Sequence, residues 1–86
     1  MHELSIALSL VDAICEELPK LGNVFVRSAR VRIGALSGVA PEALAFAFDI
    51  AADESCIAGA RLDIEHTPGC EMELTALEVV DDAADR

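Results

Sequence analysis

Residues 29–51 read ARVRIGALSGVAPEALAFAFDIA. Within this stretch the apolar period changes from that of a strand to that of a helix. Ala29, Val31 and Ile33 point one way and Arg30 and Arg32 the other, the alternation of a half-buried strand. The GALSGV segment turns the chain. Pro41 then suits the first position of a helix, where its missing N–H has no intrahelical partner to lose. In PEALAFAFDIAAD, Leu44, Ala47, Phe48 and Ala51 form one helical face, while Phe46 and Ile50 form a second, narrower one.

Working outward, the preceding MHELSIALSLVDAICEEL places Leu4, Ala7, Leu8, Val11, Ile14, Cys15 and Leu18 at helical spacing. A helix from about position 3 to 18 follows, ended by Pro19 and Gly22. Ile6, Leu10 and Ala13 widen its apolar stripe, so cover on more than one side is expected. On the other flank, ARLDIEH alternates with Leu62 and Ile64 inward and Arg61, Asp63 and Glu65 outward. CEMELTALEVV is a third strand whose phase changes between Met72/Leu74 and Leu77/Val79, which a bulge near Thr75 or Ala76 reconciles. HTPGC carries the Pro and Gly of a turn, so the last two strands are expected as an antiparallel hairpin.

The expected fold is α+β: two helices packed on a three-stranded sheet in the order α-β-α-β-β, a single two-layer domain over residues 1–80 with an acidic tail at 81–86. The outer sheet face sets Arg30, Arg32 and Arg61 among Asp63, Glu65, Glu71, Glu73 and Glu78. Opposite charges on neighbouring strands contribute about 0.2–1 kcal/mol each, which accounts for that face without a ligand.

A chain of 86 residues with 53 % hydrophobic content has enough apolar material for one packed core. Its net charge of −10 argues against nucleic-acid binding, which needs a cationic face. No apolar run approaches the ~20 residues that span a bilayer, and no signal-peptide pattern opens the chain. A cytoplasmic protein without a membrane role is expected. Cys15, Cys56 and Cys70 are odd in number and form no CxxC, supporting neither a disulfide framework nor a zinc knuckle. Cys15 and Cys56 read as small buried hydrophobes and Cys70 as more exposed. No nucleophile motif, phosphate-cradling glycine loop or HExxH occurs. His66 and Cys70 share a short loop without a third residue to orient them, so no enzyme is expected.

The amino terminus holds the clearest chemistry. The α-amine of Met1, the backbone amide of His2 and the His2 ring are three nitrogens in sequence. Chelation through all three closes fused rings around one ion, a donor set that suits square-planar Ni(II) or Cu(II). The amide or the carboxylate of Glu3 can supply a fourth donor.

MHELSIALSLVDAICEEL, VRIGALSGVAPEALAFAFDIA, GARLDIEH and MELTALEVVDD together closely resemble the HypA/HybF family, over nearly the whole chain and in order. That resemblance implies a nickel metallochaperone of nickel–iron hydrogenase maturation. Met1, His2 and Glu3 match its amino-terminal nickel motif, with Ni(II) as cargo. The implied partners are a HypB-type GTPase and the hydrogenase large subunit, and in some bacteria the urease system. Family members carry a zinc domain, held by two CxxC pairs, between the second and third strands. Here IEHTPG runs directly into CEMELTALEVV, so the zinc domain is absent between about 66 and 71 and no structural zinc is expected. The alternative is a zinc-less protein-interaction module that docks on a GTPase or target without delivering metal.

Overall fold

The computed structural model describes residues 3–81. Its elements are helix α1 (Glu3–Leu21), strand β1 (Val24–Gly34), helix α2 (Pro41–Asp53), strand β2 (Arg61–Thr67) and strand β3 (Met72–Asp81). This is the expected order, and Pro41 opens α2 as anticipated.

Helix α1 runs past its expected end. Pro19 lies inside it, and the chain leaves the helix at Gly22, whose φ of +88° is a conformation that glycine adopts without strain. A proline in the last turn removes one hydrogen bond where the ladder is already ending, so the helix survives it. Its packing is also narrower than expected. Ala7, Leu10, Val11 and Ile14 are buried, whereas Leu4 and Leu8 are 53 % and 48 % exposed. The row through Leu10 took the core, and the row through Leu4 and Leu8 faces solvent.

The sheet order is β2-β1-β3. β2 is parallel to β1, from Ser28 opposite Arg61 to Gly34 opposite Thr67. Parallel neighbours need a long crossover, and α2 supplies it. β3 runs antiparallel to the other edge of β1, from Val24 opposite Asp81 to Ile33 opposite Met72. The register shifts between Arg30/Ala76 and Val31/Leu74, so Thr75 is the bulge expected from the phase change. A second shift, at Arg27, was not foreseen.

The expected hairpin is therefore corrected: β2 and β3 flank β1 and do not pair. Stepping over one strand requires about 9.6 Å, and a link of residues 68–71 reaches about 13 Å when extended. The link closes over the end of β1 through backbone bonds. The N–H groups of Gly34, Ala35 and Leu36 donate to the carbonyls of Glu71 (2.7 Å), Thr67 (2.8 Å) and Gly69 (2.9 Å). Gly34 is required there, because a Cβ would run into the Gly69 carbonyl and stand 2.8 Å from the Cys70 nitrogen.

The core joins both helices to the inner face of β1. Phe48, Leu44, Ile14, Val31 and Ile33 are its largest enclosed side chains. Burial of each contributes about 1.5–3 kcal/mol. On the outer face Arg30 pairs with Asp63 (3.7 Å), and Arg32 with Glu65 (3.6 Å) and Glu73 (3.4 Å). These are the cross-strand pairs that the alternation implied.

The cysteine expectation is overturned. Cys15 is half-buried, Cys56 is exposed, and the two form a disulfide across 41 residues with a Cα–Cα distance of 6.2 Å. Cys70 is an exposed free thiol, as expected.

Candidate metal centre

Met1 and His2 lie outside the described residues. Glu3 is described, and it begins α1. Its carboxylate oxygen Oε2 accepts a hydrogen bond from the Ala40 N–H at 3.0 Å. Ala40 is the N-cap of α2, extended at φ −85° and ψ 111°, and its methyl side chain has nothing to cap with. Glu3 supplies a carboxylate from the other helix, at the end where the α2 dipole favours negative charge. Meanwhile the Ala40 carbonyl accepts from Leu44 N–H at 2.9 Å, the first bond of the helix.

This bond seats the first turn of α1 against the start of α2. Ala40, Pro41 and Glu42 line a cleft of about 490 Å³ whose opposite wall includes Ile64 and His66 of β2. Glu3 joins α1 to Ala40, one of the residues that line that cleft. His66 pairs across the sheet with Ile33, and its side chain is exposed. On the 68–71 link Glu71 has a pKa lowered by a hydrogen bond from its own backbone N–H, then by the Thr67 hydroxyl and by Arg32.

Among the described residues, no group of three or more His, Cys, Asp or Glu side chains could hold a metal ion. His66 and Cys70 thus gain no third partner from the fold within that set. Of the three residues singled out from sequence, the structure locates only Glu3, and it locates its carboxylate in a structural contact. That contact was not legible in advance, because its other half is a backbone N–H thirty-seven positions away.

Comparison with known proteins gives the class first. The chain superposes on the solution structure of the Ni metallochaperone HypA from Helicobacter pylori with a TM-score of 0.76 and 25 % identity, over 95 % of this chain and all of that one. A family model for HypA, described as a hydrogenase/urease nickel incorporation metallochaperone, matches residues 1–78. The chain belongs to the HypA family. It is 48 % identical over 69 residues to the hydrogenase maturation factor HypA of Deinococcus radiodurans, covering 80 % of this chain and 58 % of the relative. It is 41 % identical over 81 residues to that of Chloroflexus aurantiacus, covering 87 % and 71 %. The chain spans less than two thirds of the Deinococcus relative's length. Members of this family are metallochaperone maturation factors, not enzymes.

Proposed function

We propose that this chain carries Ni(II) at its amino terminus, through the Met1 amine, the His2 amide and ring, and a fourth donor from Glu3, for insertion into the hydrogenase large subunit. The observation that carries the reading is the Glu3–Ala40 bond. It seats the first turn of α1 on the body, which supports a chelate formed by the two residues that precede it. Because the Glu3 carboxylate is engaged with Ala40, the backbone amide of Glu3 is the better fourth ligand. The ladder of α1 does not require that amide, which is the first of the helix.

A HypB-type GTPase and the large subunit are the proposed partners. Leu4 and Leu8 on α1 and Phe46 and Ile50 on α2 expose apolar surface to a docking protein. The two-layer domain over residues 1–80 is the proposed nickel domain, working in the cytoplasm without a zinc module between about 66 and 71.

Both chelating groups must shed protons to bind. The reference pKa values are about 7.7–8.0 for the amine and about 6.5 for His, so nickel affinity rises between about pH 6 and 8. Equilibrium dialysis against Ni(II) over that range tests the reading. The native protein should take up one equivalent with rising affinity, and His2→Ala should lose most of it. Nickel uptake unaffected by His2→Ala contradicts the assignment.

A further inference from the structure

The two helices are joined twice, at opposite ends. Glu3 meets Ala40 at the start of α2, and Cys15 meets Cys56 just beyond its end at Asp53. The helices therefore run side by side in the same direction. The spacing agrees: Glu3 to Cys15 is about 18 Å of helix, and the 13 residues of α2 span about 20 Å.

We propose that Cys56 is a site of reversible thiol–disulfide exchange with a small thiol of the glutathione class, and that the exchange releases Cys15 and with it the far end of α1. Three observations lead to this. Cys56 is exposed whereas Cys15 is half-buried, so an incoming thiolate reaches Cys56 first. A cleft of about 330 Å³, lined by both cysteines with Leu18, Val24 and Phe25, opens beside the bond and gives a small molecule room. Cys70 is excluded as the attacking group within one chain. It lies on the link over Gly34, while the cleft adjoins Val24, about 33 Å away along β1.

The step balances. The thiolate attacks the Cys56 sulfur, the S–S bond breaks, and its electron pair leaves with the Cys15 sulfur, which takes up a proton. A second thiolate attacks the small-molecule sulfur of the mixed disulfide, and Cys56 leaves and is protonated. Two electrons and two protons enter the protein, and two small thiols become one disulfide.

The test is thiol counting and mass mapping of the folded, untagged protein in glutathione buffers of increasing reducing power. Mass mapping, needed because glutathione disulfide also caps the exposed Cys70, should find Cys15 and Cys56 paired in oxidising buffer and both free in reducing buffer, with return to the pair on reoxidation. In glutathione disulfide, Cys15→Ser should form a mixed disulfide at Cys56 several-fold faster than Cys56→Ser forms one at Cys15. The wild-type mapping decides the matter if either variant does not fold. Cys15 and Cys56 free in every buffer, paired in every buffer, or equal rates in the two variants would each overturn the proposal.

Discussion

The two ends of this domain are fastened by different chemistry. At one end Glu3, Gly34, Ala40 and the 68–71 link are held by individual hydrogen bonds of 2.7–3.0 Å. At the other, Cys15 and Cys56 hold α1 beside the loop after α2 with a covalent bond. Each net hydrogen bond contributes about 0.5–1.5 kcal/mol, so the first end opens one contact at a time. The proposed carrier role, in which an ion is accepted and surrendered, is better served by that end, where α1 begins.

The largest break in this comparison is removal of the covalent end. Closing a loop of 41 residues stabilises the fold by about 4 kcal/mol in the chain-entropy model, against a total of about 4–13 kcal/mol for a chain of this size. The double variant Cys15→Ser, Cys56→Ser should therefore unfold at much lower urea concentration, with nickel uptake per folded molecule unchanged. A variant as stable as the wild type would remove the distinction between the ends.

Gly34→Ala attacks the hydrogen-bonded end at its tightest point. The added Cβ meets backbone, which yields less readily than a side chain. A loss of about 1–3 kcal/mol in urea unfolding is expected, as for other overpacked sites. Glu3→Ala is milder. It deletes the carboxylate that caps α2 and should cost about 1 kcal/mol, while weakening nickel binding less than His2→Ala does.

How much of this was legible in sequence depends on the range of the contact involved. The strand-turn-helix at 29–51 was readable because its period changes within one stretch, and the Thr75 bulge because the phase of β3 inverts. α1 offered two apolar rows sharing Ala7, Val11 and Ile14, and only packing against α2 and β1 decided that Leu10 rather than Leu8 would be buried. The flanking of β1 by β2 and β3 was hidden because a Pro-Gly turn suits a hairpin as well as a step across a strand end. Cys15 and Cys56 could not be paired by spacing, since their meeting follows from two helices lying parallel. The candidate site divides the same way. The chemistry proposed for Met1 and His2 is read from adjacent residues, whereas the part played by the Glu3 carboxylate depends on Ala40.

The smallest effect sharpens the hydrogen-bonded end with pH. Glu71 has a lowered pKa in the folded protein, so its contribution to stability is present above its ordinary value of 4.5 and is lost as pH falls through the folded value. Thr67→Val removes one of the causes, and the difference from wild type in urea midpoint should narrow as the pH is lowered below 4.5. A difference that stays constant with pH would place the Thr67 contribution elsewhere.

The central claim, that the working site is the amino terminus itself, is tested most directly by blocking one group. Nickel titration should compare the native protein with the same chain acetylated at Met1. Acetylation converts the amine into an amide and removes the anchor of both chelate rings, leaving the rest of the molecule intact. One equivalent of tightly bound Ni(II) in the native protein, and loss of most of that affinity with unchanged circular dichroism after acetylation, is the predicted result. Equal, one-to-one binding by both forms would contradict it and place the nickel site elsewhere in the chain.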